Sequence, residues 1–187
     1  MRHGQIQGYE TKRFIGQTDV LLDKQGKNQA KTWHNALANI EFNAIYSSSL
    51  QRCSHTAQLV CPKQKINFDP RLNEINMGKW DGKTFDEIKK KRAEEFKKRG
   101  NDIYEFRPPD GESFKDLSDR LLSFLNKLQT KCFKQNNRRS QKRQYSNTLL
   151  VSHAGVIRVL ICHILGMKPQ DLFNIKLDYG HLFVLKH

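Results

Sequence analysis

The chain has 187 residues, enough for one domain with a substantial core and short for two. Its 37% apolar and 10% aromatic content exclude a disordered composition, and no apolar run is long enough to cross a bilayer. Lys and Arg number 33 against 19 Asp and Glu, a formal net charge of +14. Such a surface attracts phosphate esters, nucleic acid or an acidic membrane face. Lysine on solvated faces is the preferred account, because the charge sits in runs such as Lys89-Lys90-Lys91-Arg92 and Arg138-Arg139.

In chain order, Gln5 to Asp19 is polar, carries Gly8 and Gly16, and reads as a loop. A helix is predicted from Asp23 as N-cap, with Ala30, Trp33, Leu37 and Ile40 on one face. Asn43 to Ser47 reads as a short strand and Leu50 to Val60 as a helix. Asp69 to Gly82 lacks periodicity, and a charged helix is predicted over Phe85 to Lys98. Pro108-Pro109-Asp110-Gly111 breaks the chain before a helix from Ser113 with a leucine-rich stripe. Residues 134–145 read as a basic loop. Thr148 to Ser152 is a buried-type strand, Val156 to Leu165 a helix stopped by Gly166, and Leu182 to Leu185 a closing strand. Strands alternating with helices predict an α/β layered fold with a mostly parallel sheet. The four cysteines form no Cys-x-x-Cys pair, and the start carries no apolar signal region; a cytoplasmic chain with reduced thiols and no zinc site is expected.

Ligands of open α/β sheets bind beyond the carboxyl ends of the strands. Ser47, Ser48 and Arg52 follow one predicted strand, and His153 follows another. Arg2-His3 would follow a first strand. A neutral imidazole is a competent nucleophile toward phosphorus, and arginines grip phosphoryl oxygens with paired donors. A helix starting after His153 adds backbone N–H groups for the same anion. Glu74, in an irregular segment, is placed to protonate the leaving alkoxide and then to activate water. Taken singly these signals are weak. A histidine after a strand is more often packed than catalytic, Arg-His-Gly recurs by chance, and an arginine on a helix is usually solvated.

Their ordered combination resembles the histidine phosphatase superfamily, the phosphoglycerate mutase-like group, over nearly the whole chain. The carrying blocks are Arg2-His3-Gly4-Gln5, Gly16-Gln17-Thr18-Asp19, Tyr46 to Arg52, Leu72-Asn73-Glu74 with Gly78 to Gly82, Pro109 to Ser113, and Val151 to Arg158. The resemblance implies His3 as carrier of the phosphoryl group and Glu74 as proton donor. It implies Arg2, Arg52 and a charged His153 around the phosphate, with Gln17 and the backbone of Ala154 close by. It implies a three-layer α/β/α fold with a mixed, mainly parallel sheet, a lid-like region over about residues 73–112, and no metal or cofactor. The family often has Asn where Tyr9 stands. It also places an apolar central strand before Arg-His-Gly, where only Met1 stands here. That first strand is expected to be missing because the gene start is set too late; an in-frame apolar run upstream would support this, and an immediate stop codon would defeat it.

Ile75-Asn76-Met77-Gly78 after the acid departs from the Arg-His-Tyr-Gly of cofactor-dependent mutases and favours a phosphatase. The Gly155 to Arg158 block, the Leu172-Phe173 to Gly180 tail and Pro108 to Ser113 are similar to α-ribazole phosphatases. A small phosphorylated metabolite is the expected partner, with α-ribazole 5′-phosphate first and other metabolite phosphates, or mutase-like chemistry, as the alternative. A catalytically silent basic module holding nucleic acid or protein is the competing reading. The presence of every chemical residue argues against it.

Overall fold

The computed structural model describes residues 1–136 and 147–185. The basic loop read at 134–145 therefore lies mostly outside the described residues, apart from its start at the end of a helix.

The first helix, α1 (Lys24–Ala36), is capped by Asp23, whose side chain accepts from the Gly26 N–H. It stops earlier than predicted: Leu37 is its C-cap, and Ile40 lies beyond it, 42% exposed. Asn35 and Asn39 are poor helix formers, and the stripe that packs inward ends at Leu37. Strand β1 (Ala44–Ser47) and helix α2 (Gln51–Val60) follow as read. Strand β2 (Ile66–Phe68) was not predicted; three residues with Phe68 half exposed carry no legible period.

Two single turns of 3-10 helix, Pro70–Leu72 and Gly78–Trp80, interrupt the loop-like stretch. The predicted charged helix is in fact two, α3 (Phe85–Lys91) and α4 (Ala93–Asn101), broken at Arg92 with φ −141° and ψ 49°. The break re-aims α4 so that Phe96 joins Ile88 in the core around Trp80, a tertiary demand invisible to helix propensity. A long helix, α5 (Phe114–Asn136), a strand, β3 (Thr148–Val151), and a helix, α6 (Ala154–Leu165), follow, with Gly166 in the left-handed conformation that ends α6 and a 3-10 helix, Pro169–Asn174, after it.

The strands lie in the order β2-β1-β3, all parallel. Burial alternates along β1 and β3, so each contributes side chains to both faces. Ile45, Leu149 and Val151 meet Ala30, Cys53, Ala57 and Val60 of α1 and α2. Tyr46 and Leu150 meet the larger core built with Leu117, Leu121, Phe124, Val156 and Val159 of α5 and α6. Helices thus cover both faces of the sheet, the three-layer α/β arrangement that was expected.

Met1–His3 stand beside β3 where the first strand was expected. Arg2 bridges Ser152 in parallel, Ser152 N–H donates to Met1 O at 3.0 Å, and His3 N–H donates to Ser152 O at 3.0 Å. On the other side Arg2 N–H donates to His181 O, and Gly180 N–H to His3 O, in the opposite direction. The predicted closing strand at Leu182–Leu185 does not form. Among the described residues the antiparallel contact with the first segment stops at the bonds of Gly180 and His181, and no backbone ladder runs on along 182–185.

Candidate active site

The site lies at the carboxyl ends of β1 and β3. His153 follows β3, caps α6, and is fully buried. Its Nδ1 accepts from Arg52 Nε at 3.2 Å, so that nitrogen carries no proton. Its Nε2 lies 2.8 Å from Ser48 Oγ, which itself donates to Asn73 Oδ1 at 2.8 Å; the imidazole is therefore neutral, with its proton on Nε2. Burial, then Arg52 and His3, hold its pKa well below the usual value of 6.5. Burial first, and then the charge of Arg52, work against the charged His153 that the resemblance implies.

Arg52, in the first turn of α2, is 1% exposed. Its Nη1 donates to Thr18 O at 2.9 Å and its Nη2 to Gly16 O at 2.6 Å. With Nε on His153, two of its five N–H groups remain for a ligand. The loop carbonyls it grips are themselves fixed by Asp81, whose carboxylate accepts the N–H groups of Gly16, Gln17 and Thr18.

His3 is 4% exposed, and its Nδ1 donates to the Gly4 carbonyl at 2.8 Å. Nε2 is left as the lone-pair nitrogen. Burial first, then Arg52 and Arg2, push its pKa well below 6.5, against the Gly4 bond. Gly4 is held in turn by Thr56 Oγ1, and a Cβ there would overlap the Gly26 backbone. Arg2 lies over the Tyr179 ring at 3.9 Å and donates to Leu177 O at 2.7 Å. Its Nε is buried with no partner among the described residues, a costly state that a bound oxyanion would relieve.

Glu74 is 9% exposed. Its Oε1 accepts from Ile75 N–H at 3.0 Å and its Oε2 from Gly155 N–H at 3.2 Å. A cavity of about 140 Å³ is lined by Arg2, His3, Arg52 and Glu74, with Ile6, Ile15, Arg13 and Tyr179 completing the wall. His153 stands behind Arg52. Ala154 is the first residue of α6, so its N–H has no acceptor within the helix. The side chain of Gln17 is not brought to the cavity wall; the residue is exposed and its backbone is held by Asp81. Sequence reasoning missed Arg13 and the Asp81 anchor. Arg13 is one cation in a polar loop, with no pattern to mark it. Asp81 stood inside a recognised block and was visible there only as a member of that block.

The geometry combines a buried neutral imidazole with a free Nε2, three guanidinium groups and a carboxyl around one small cavity, with the start of α6 bonded to the carboxyl. The comparisons with known proteins agree with that chemistry. Adenosylcobalamin/alpha-ribazole phosphatase of Escherichia coli K12 is 29% identical over 182 residues, covering 96% of this chain and 84% of that protein. Phosphoserine phosphatase 1 of Hydrogenobacter thermophilus is 27% identical over 188 residues, covering 99% and 83%. The crystal structure of the alpha-ribazole phosphatase from Shigella flexneri superposes with a TM-score of 0.84 at 28% identity, covering 96% of this chain and 85% of that one. The profile of the histidine phosphatase superfamily (branch 1) matches residues 1–187, and the chain belongs to that family.

Proposed function

We propose that the chain hydrolyses small phosphate monoesters through a phosphohistidine at His3, with α-ribazole 5′-phosphate as substrate. The chemistry is that of a phosphoric monoester hydrolase. The observation that carries the proposal is the His3 imidazole, held neutral and aimed by its Nδ1–H bond to Gly4, with Nε2 left free beside Arg2 and Arg52. Nε2 attacks phosphorus while the two free N–H groups of Arg52 and the unpartnered Nε of Arg2 hold the equatorial oxygens. His153 keeps Arg52 in place, and the arriving dianion supplies the charge that would let it take a proton. The N–H of Ala154 is assigned to the same phosphate, whereas Gln17, whose side chain stands outside the cavity wall and whose N–H is held by Asp81, is left out of it. Glu74 gives its proton to the leaving oxygen and then takes one from the water that attacks the phosphohistidine. No metal enters the scheme. Residues 73–112, which hold α3 and α4, are the lid-like part of a single domain.

The substrate assignment rests on the names of the relatives. No helix among the described residues is long and apolar enough to cross a membrane, and a cytoplasmic enzyme acting on a small metabolite fits the buried free thiols of Cys53, Cys61 and Cys162. A screen of phosphorylated metabolites in EDTA, with α-ribazole 5′-phosphate included, tests the proposal. Highest kcat/KM on that compound is the expected result. A clear preference for phosphoserine or a glycerate phosphate would move the assignment to another metabolite, and no turnover with salt-sensitive DNA binding would overturn the enzyme reading.

Gly155 offers a separate test of Glu74. A methyl at Gly155 would overlap Glu74 Oε1, so Gly155→Ala forces the carboxyl to move. The expected loss in kcat/KM is roughly 10²-fold, the usual penalty for displacing a reacting group by about 1 Å. Steady-state kinetics beside thermal melting check it; unchanged kinetics in a folded variant would mean that the position of Glu74 is not used.

A further inference from the structure

The block Pro109 to Ser113 carries part of the family resemblance, yet none of its side chains lines the cavity. Its place in the fold gives it a task. Glu112 and Arg120 form a two-bonded ion pair, Nε to Oε1 at 2.9 Å and Nη2 to Oε2 at 3.0 Å, with side chains only 23% and 18% exposed. The remaining bonds of this pair run to the backbone that presents Glu74. Arg120 Nη1 donates to Arg71 O at 2.7 Å and Nη2 to Glu74 O at 3.1 Å. Glu112 Oε2 accepts the Asn76 N–H at 2.8 Å, and the Glu112 N–H donates to Asn76 O at 2.8 Å.

Residues 73–77 belong to no helix or strand, so they have no ladder of their own to fix them. The ion pair therefore sets the carbonyls of residues 71 and 74 and the N–H of residue 76, while the main-chain N–H of Glu112 holds the carbonyl of residue 76. The approach is close: a Cβ at Gly78 would overlap Pro109 O, and a Cβ at Gly111 would lie 2.6 Å from Asn76 O. Play in this bracket would pass directly to the Glu74 carboxyl, whose other restraints are the N–H groups of Ile75 and Gly155.

We propose that the Arg120–Glu112 pair is the positioning device of the proton donor: it fixes the segment 71–76 so that the Glu74 carboxyl faces the leaving oxygen, without touching substrate itself. This rests on the reading of Glu74 as general acid. The two residues act as outer support for a reacting group, whose loss is felt in the step that group serves.

The test uses leaving groups. Proton donation matters little for p-nitrophenol and much for an alkyl alcohol, and kcat/KM isolates the phosphorylation step. Arg120→Met is expected to lower kcat/KM for glycerol 2-phosphate by about 10–100-fold, and for p-nitrophenyl phosphate by less than about threefold. Arg120→Lys, which keeps the charge and loses the fork, should fall between Arg120→Met and the parent on glycerol 2-phosphate, and it serves if the methionine variant does not fold. Added to Glu74→Gln, either variant should cause no further selective loss. Equal losses on both substrates indicate a merely structural role and overturn the proposal, as does a double variant that repeats the full selective factor. If Glu74→Gln shows the selectivity and the Arg120 variants do not, only the positioning role falls. If Glu74→Gln shows none, the general-acid reading falls and the positioning role with it.

Discussion

His3→Ala is expected to abolish turnover, with kcat falling by at least about 10³-fold, because removing the nucleophile removes the two-step route altogether. The cost in stability should be small by comparison. The ring makes one bond of note, to the Gly4 carbonyl, worth about 1 kcal/mol. Incubation of the parent protein with labelled substrate and rapid quenching should trap label that is lost in acid and kept in base, as a phosphohistidine is; the alanine variant should trap none. Acid-stable label on a serine would rule His3 out. The pH profile carries the same argument. Burial and the two guanidinium groups depress the His3 pKa, so the imidazole stays neutral and nucleophilic as pH drops through 6.5. After correction for substrate ionisation, kcat/KM should be level from pH 7 down to about 6. A His3 that titrates at or above 6.5 in the free protein would contradict the site as built.

The second large effect concerns stability. In a polypeptide that begins at Met1 the terminal amine is buried and donates to Leu150 O at 2.7 Å; burial pushes its pKa from 8.0 to about 5. A basic group depressed in the folded state binds fewer protons there than in the unfolded chain. Unfolding then takes up a proton between pH 8 and 5, and stability falls as pH falls through that window. Its full value is present above pH 8, and the loss approaches about 1.4 kcal/mol per pH unit within the window. The depressed histidines His3 and His153 add to this loss below pH 6.5, by the same sign. Urea unfolding of the chain that begins at Met1 should show a marked drop in midpoint from pH 8 to pH 6. A form extended upstream by a few apolar residues replaces the amine with an amide that keeps the bond to Leu150 O without the charge. Its midpoint should be higher at pH 6 and less dependent on pH; equal curves for both forms would contradict this assignment.

Much of the fold is legible where the signal is local. Asp23 sits before an apolar stripe and caps α1, Thr148 to Val151 is short, apolar and β-branched at its ends, and Gly166 stops α6. The failures are of another kind. The split at Arg92 answers to Trp80, Ile88 and Phe96 packing together. The segment Leu182–Leu185 has a strand-like composition and no strand, since a strand exists only through its neighbour's backbone. For the site, Arg2, His3, Arg52, Glu74 and His153 were all named from motif order. What each one bonds was not legible: the grip of Arg52 on Gly16 and Thr18, the neutral state of His153, and the Arg120–Glu112 bracket all join residues far apart in the chain.

By itself the amino-acid sequence determined the family, the layered α/β class and the identity of the chemical groups, because these reside in residue type, order and local periodicity. Only the tertiary structure decided that Met1–His3 take the place of a strand beside β3, that the His3 Nε2 is the free nitrogen, and that Glu74 is held by the N–H of Gly155 and by a frame from α5. These are matters of distance, burial and hydrogen-bond direction, and they exist only once segments from both ends of the chain have been brought together.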